Sequence, residues 1–137
     1  MPLQNDPTIP DEAILYRVLH NDRNWRTTDK DGRYRASSFA FYETRGEVSY
    51  FLDSPGVLPE LHRIFPGLEI ASVPAAVLRS PEVGFAIERR PGEVPPDFAF
   101  DPANHVVAGP SVEITRPQFQ KRAGLIAKAS TIIPADG

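Results

Sequence analysis

The sequence lacks cysteine, long apolar runs and an excess of basic residues. Without cysteine, disulfides, thiol catalysis and thiolate metal sites are excluded. No stretch approaches the ~18 apolar residues of a membrane-spanning helix, and the acidic, proline-bearing start is unlike a signal peptide. We therefore expect a cytoplasmic protein that does not enter membranes. A net charge of −3 argues against nucleic-acid binding, which requires a basic surface.

Motifs for common cofactors are also missing. The sequence has no glycine-rich phosphate loop, no nucleophile elbow and no dinucleotide-binding fingerprint. The three histidines, His20, His62 and His105, do not have the spacing of metal ligands. We therefore predict neither a cofactor nor a metal site.

Proline, in contrast, is abundant, with 15 residues in a chain of 137. Each proline fixes φ and removes a hydrogen-bond donor, which favours short strands joined by defined turns. We predict a single α+β domain over residues 13–133, with a loosely ordered lead over 1–12 and a tail over 134–137. Its core is a mainly antiparallel sheet with a short middle helix and a C-terminal amphipathic helix.

The stretch 33–53 alternates polar or small residues with aromatic and aliphatic ones, which predicts a β-hairpin whose loop contains Gly46. Further strands are expected over 13–19, 83–88 and 105–108. Residues 68–78 are apolar but contain Pro74, which indicates a bent or edge strand.

Two helices are predicted. The first spans 54–65, with Ser54 as N-cap. The second begins after Thr115 and has basic residues along its outer side, which either bind an acidic partner or form a solvated face. Its apolar stripe consists of Phe119, Ala123, Ile126 and Ala127.

One candidate site combines arginines with hydroxyl groups. If strand 13–19 lies beside the hairpin, then Arg17, Arg35, Ser37 and Ser38 converge on one sheet face and suit a phosphate or carboxylate. The alternative is that the arginines lie along the sheet edges with solvated head groups and that the serines face solvent.

A second candidate is Asn104 with His105, at the junction between a loop and a strand. His105 suits acid/base catalysis near neutral pH, and Asn104 suits ligand orientation. The alternative is an Asx-type turn whose histidine stacks on Phe98 or Phe100. The single tryptophan, Trp25, either stacks on a ligand ring or covers a small core beneath a long loop.

Taken together, the segments LYRVL, RASSFAF and PANHVVAG resemble a group of small bacterial proteins of unknown function. In that group a Tyr-Arg, an Arg-x-Ser-Ser-x-x-Phe and an Asn-Pro-Ala-His-like segment occur in this order. The present chain departs from the pattern in reading Asp-Pro-Ala-Asn-His. The positions that match are Tyr16, Arg17, Arg35, Ser37, Ser38, Phe41, Asn104 and His105.

The arginine-bearing first strand and the later serine also resemble NAD-consuming toxin domains of the RES and ADP-ribosyltransferase type. Their essential glutamate has no identifiable counterpart here. Our leading hypothesis is a bacterial binding or accessory protein, associated with a toxin- or conflict-related locus, that acts through protein–protein contact. The alternative is an enzyme with a nucleotide-like or NAD substrate, in which Arg17 and Arg35 bind phosphate and His105 is the acid/base.

Overall fold

The computed structural model describes residues 3–21, 24–94 and 97–135 and confirms the α+β class. A six-stranded antiparallel sheet has the order β6-β7-β4-β1-β5-β8, and β2 and β3 form a separate two-stranded ribbon. The strands are β1 (Ile14–Leu19), β2 (Arg26–Thr28), β3 (Tyr34–Ala36), β4 (Val48–Leu52), β5 (Glu69–Pro74), β6 (Phe85–Arg89), β7 (His105–Pro110) and β8 (Thr131–Ile133). The helices are α1 (Val57–Ile64), α2 (Ala75–Leu78) and α3 (Arg116–Ala129), with 3₁₀ helices at Ser38–Phe41, Pro91–Glu93 and Pro102–Asn104.

Strand β1 lies inside the sheet, between β4 and β5. Because successive side chains of a strand point to opposite faces, Leu15 and Leu19 join the larger core and Tyr16 and Val18 join a second one. Both faces are covered, which explains why this strand is almost uniformly apolar. The predicted strand over 13–19 is confirmed.

Helix α3 covers the face with the larger core. Thr115 accepts a hydrogen bond from the Gln118 N–H and the Gln118 side chain accepts one from the Thr115 N–H, which forms a capping box. The four residues of the predicted apolar stripe are those that the helix buries. None of the described helices is long and apolar enough to span a bilayer.

Helix α1 and the described parts of the connector, 91–94 and 97–104, cover the opposite face. The Glu60 side chain anchors the connector by accepting hydrogen bonds from the backbone N–H of Ala99 and from two nitrogens of Arg63. The expected middle helix is present but begins at Val57. Its N-cap is Gly56, whose φ of 89° requires glycine, and Ser54 does not cap it.

The predicted hairpin over 33–53 is wrong in its first arm. Only β4 is a strand of the main sheet there, whereas β3 pairs with β2 and Ser38–Phe41 forms a 3₁₀ helix. Two contacts from distant parts of the chain cause this. The Ser37 hydroxyl donates to the Asn24 carbonyl, and the Arg17 Nε–H donates to the Ala40 carbonyl.

The expectation of a loosely ordered lead is also wrong for residues 3–12. Ile9 is fully buried, and the Asp6 N–H donates to the Ile87 carbonyl of the edge strand β6. Arg79 donates to the carbonyls of Asp6 and Ile9. The lead is therefore held along the sheet edge by a distant arginine. Asp136 and Gly137, at the end of the predicted tail, lie outside the described residues.

One further strand prediction changes, and two others are confirmed. Strand β5 lies inside the sheet, between β1 and β8, and ends at Pro74, so the bent or edge strand over 68–78 is a strand followed by α2. The strands expected over 83–88 and 105–108 correspond to β6 and β7.

We expect Gly109→Ala to destabilise the protein. A Cβ atom at this position in β7 would lie 2.5 Å from the Gly46 carbonyl oxygen and 3.3 Å from the Glu47 Cα, both of which are backbone atoms. Overpacking of this kind costs about 1–3 kcal/mol of unfolding free energy, measurable by urea denaturation.

The matched control is Gly124→Ala in α3, where a Cβ would meet nothing within 4 Å. It should stabilise the helix by about 0.5–1 kcal/mol. Equal effects of the two substitutions would contradict the close approach at Gly109.

We also expect low pH to weaken the hydrogen bonds by which Glu60 holds the connector. Hydrogen bonds from Arg63, and then from the Ala99 N–H, lower the pKa of Glu60 from 4.5 to about 2. A carboxyl group with a lower pKa in the folded state stabilises the fold above its unfolded pKa, and this stabilisation disappears as pH falls through the folded pKa. The difference in unfolding free energy between wild type and Glu60→Gln should therefore shrink from pH 4.5 to about 2. A difference that is independent of pH over this range would contradict the assignment.

Candidate functional site

Arg17 is buried in the central strand, where only 8% of the residue is exposed. Its Nε–H donates to the Ala40 carbonyl at 2.9 Å, one η nitrogen donates to the Ser49 carbonyl at 3.2 Å, and the other donates to the Glu43 carboxylate at 2.9 Å. Burial lowers the pKa of Arg17, although Glu43 opposes this shift. The guanidinium thus links the 3₁₀ helix, the turn that follows this helix, and β4 through hydrogen bonds.

Trp25 and Ser37 adjoin this guanidinium. The Trp25 ring packs on Arg17, with the guanidinium carbon 4.6 Å from the ring centroid. Ser37 fixes the loop that carries Trp25, because its hydroxyl donates to the Asn24 carbonyl and its N–H donates to the Trp25 carbonyl. Trp25 is buried at the edge of the core.

Arg17 also adjoins an unusual buried phenol. Tyr50 lies on β4 in the same core, and its hydroxyl has no hydrogen-bond partner among the described residues. Burial raises the pKa of Tyr50, and the nearby positive charge of Arg17 opposes that rise. The neutral phenol and the guanidinium therefore form a polar centre beneath the 3₁₀ helix.

A surface groove lies above this centre, and we call it the Phe39 groove. One part is a cleft of about 350 Å³ and the adjoining part has about 290 Å³; Phe39 and Tyr42 line both. Phe39 is 59% exposed, which is exceptional for a phenylalanine. The lining residues are Asn24, Trp25, Ser38, Phe39, Tyr42, Glu43, Thr44 and Gln120.

The groove is bordered by a basic helix. Helix α3 carries Arg116, Lys121, Arg122 and Lys128 and no acidic residue. The Arg116 guanidinium lies 5.9 Å from the Tyr42 ring centroid, and among the described residues no ion pair neutralises the cations of α3. Exposed aromatic surface therefore adjoins uncompensated positive charge.

The Arg35 side chain does not line the Phe39 groove. Its Nε lies 3.5 Å from an Asp29 carboxylate oxygen, and an η nitrogen donates to the Ala36 carbonyl. The Nε–H itself has no hydrogen-bond partner among the described residues. Arg35 thus stabilises the β2–β3 ribbon.

His105 and Asn104 lie away from Arg17. Strand pairing places His105 opposite Phe51, and Phe51 opposite Tyr16, so these three side chains share one sheet face. Arg17 follows Tyr16 and points to the other face. His105 is buried, its ring centroid lies 5.4 Å from that of Phe51, and its Nδ1 is 2.8 Å from the Arg90 carbonyl oxygen.

Asn104 lines a separate cleft, and its amide donates to the Ser54 hydroxyl at 2.9 Å. Next to it, burial and then the neighbouring Asp53 raise the pKa of Tyr16 to about 12. The predicted site residues are therefore divided. Arg17, Trp25, Ser37 and Ser38 gather at or beneath the Phe39 groove, whereas His105 lies on the opposite face of the sheet and Asn104 lines a separate cleft.

Sequence reasoning missed Phe39, Tyr42 and Asn24 as surface residues, because the hairpin pattern placed the two aromatics in a strand. The row of basic residues along the outer side of the last helix was the one sequence signal that pointed toward part of this surface. No cluster of three or more potential metal ligands occurs within the described part of the chain. Neither the family models, nor the curated proteins, nor the solved structures contain a match to this chain, so the resemblance to small bacterial proteins stays a prediction.

We expect Arg17→Met to lower the unfolding free energy by about 3 kcal/mol. Methionine keeps the packing of the stem but leaves two carbonyls without their donors, and each unsatisfied buried acceptor costs about 1–3 kcal/mol. Chemical denaturation monitored by tryptophan fluorescence measures the effect.

Arg45→Met serves as the control, since Arg45 is exposed and its two hydrogen bonds, at 3.2 and 3.4 Å, are long. It should change stability by about 0.5 kcal/mol or less. A loss below about 1 kcal/mol for Arg17→Met would show that its buried hydrogen bonds matter little.

Proposed function

We propose that this protein is a binding module that docks an acidic segment of another protein, bearing a large apolar side chain, in the Phe39 groove. The observation that carries the proposal is the exposed Phe39 beside a helix with four basic and no acidic residues. Aromatic residues and arginine are enriched in protein interfaces, whereas nucleic-acid binding finds little support in a chain with a net charge of −3.

The local charge favours an acidic partner. Glu43 is the carboxylate that lines the groove, and its pairing with Arg17 neutralises it. Arg116, whose guanidinium lies 5.9 Å from the Tyr42 ring centroid, remains to attract carboxylates at the rim, where complementary charge raises the association rate and selects the partner. An apolar side chain of the partner would pack against Phe39 and Tyr42.

The rigidity of the surface also supports binding. Phe39 lies in a 3₁₀ helix that Arg17 and Ser37 hold through buried or half-buried hydrogen bonds. An anchor fixed in this way loses little conformational entropy when a partner binds. A link to a bacterial toxin- or conflict-related locus stays a prediction.

The alternative function, an enzyme that uses a nucleotide or NAD, has less support. It requires Arg17 and Arg35 to bind phosphate and His105 to transfer a proton within the same pocket. Both guanidinium groups are used inside the protein, and His105 points to the opposite sheet face.

Display of random ten-residue peptides against the purified protein tests the proposal. The enriched peptides should combine net negative charge with a large apolar residue. Phe39→Ser should weaken the best peptide by about 30-fold, which corresponds to a hot-spot residue of about 2 kcal/mol. Arg116→Glu should weaken it about tenfold and flatten its salt dependence.

Leu125→Ala is the matched control, because Leu125 is a partly exposed apolar residue of α3 in a different cleft. It should leave peptide affinity unchanged within about twofold, because Leu125 lies outside the Phe39 groove and most surface residues contribute little binding energy. Enrichment of basic peptides, or equal losses for Phe39→Ser and Leu125→Ala, would refute docking in the Phe39 groove.

A further inference from the structure

A second cleft lies at the end of the sheet where β1 begins and β4 ends. It has a volume of about 360 Å³, within the range of small-molecule sites. Its lining residues are Ile9, Pro10, Glu12, Ala13, Leu52, Asp53, Arg89 and Asn104. None of these residues belongs to the Phe39 groove, so the two surfaces are independent.

The polar groups of this cleft are held close together by the backbone. Arg89 donates from one η nitrogen to the Ala103 carbonyl at 2.9 Å, which places it beside Asn104. The Asn104 amide donates to the hydroxyl of Ser54, the neighbour of Asp53. A cation, an amide and a carboxylate therefore converge on one small volume.

These groups retain hydrogen-bonding capacity. Arg89 forms an ion pair with Asp6 and donates one N–H each to Asp6, Ala103 and Thr8, which leaves two of the five N–H groups of its guanidinium for a ligand. Among the described residues, neither Glu12 nor Asp53 forms an ion pair with a lysine, arginine or histidine. The cleft thus offers a ligand two guanidinium N–H donors and two carboxylates.

The remaining wall is apolar and is partly formed by the lead. Ile9 and Pro10 reach the cleft because Arg79 and Arg89 hold the lead against the domain. Ala13 and Leu52 complete this wall. An apolar body of a few carbon atoms can therefore pack against this wall next to the charged groups.

We propose that this cleft binds a small zwitterion with an ammonium and a carboxylate group on an apolar body, the chemistry of a free α-amino acid. Asp53 and Glu12 would bind the ammonium group, and Arg89 and Asn104 would bind the carboxylate. A phosphate ligand fits poorly, because two carboxylates without cationic partners would repel it.

Thermal-shift and calorimetric titration of the full chain with each of the twenty free amino acids tests this proposal. At least one with an aliphatic side chain should raise the melting temperature in a saturable way. L-leucine is then compared with its decarboxylated analogue 3-methylbutylamine and with N-acetyl-L-leucine. Each analogue lacks one charge and should bind at least about tenfold more weakly.

Asp53→Asn, which keeps the shape of the side chain, should weaken amino-acid binding by about tenfold or more, and Glu12→Gln provides a second test at another lining position. Glu82→Gln, a carboxylate in a different cleft, should leave affinity within about twofold. The absence of a shift with all twenty amino acids, or equal binding of 3-methylbutylamine and L-leucine, would overturn the proposal.

Discussion

The buried guanidinium of Arg17 in β1 is the constraint that shapes the part of the protein around the Phe39 groove. Arg17 is only 8% exposed, so its nitrogens need acceptors inside the fold. The acceptors come from Ala40, Glu43 and Ser49, three positions along the same downstream segment. That segment must therefore cross over β1, and it does so as a 3₁₀ helix followed by a turn into β4.

Phe39 becomes exposed as a consequence of this crossing. The Ser37 and Arg17 contacts direct Ala40 and Phe41 into the core, and the residue before them is left pointing outward. In a strand, Phe39 and Phe41 would share a face. In the 3₁₀ helix they do not, and the exposed ring comes to lie beside the basic helix α3. A buried polar requirement thus explains an apolar feature of the surface.

The elements that the sequence predicted well are those determined by local pattern. Strand β1 is a compact apolar run, and α3 has a capping signal and a regular stripe, so both could be placed from neighbouring residues alone. The 3₁₀ helix and the docked lead depend on distant partners. Ser37 bonds to a residue 13 positions away, Arg17 to one 23 away, and Arg79 to Ile9 70 positions away. Periodicity carries no information about such contacts.

The division of the candidate site has a simple geometric cause. Tyr16 and Arg17 are adjacent in β1, so their side chains must point to opposite faces of a sheet that is covered on both sides. Register then places His105 with Tyr16, because each lies opposite Phe51 on its own side of β4. Residues that occur in one sequence pattern therefore serve two surfaces. Arg17 and Ser37 shape the Phe39 groove from beneath and Ser38 lines it, whereas Asn104 lines a separate cleft at the end of the sheet. The order of these residues along the chain therefore does not show which of them lie close together, whereas the register of the sheet does.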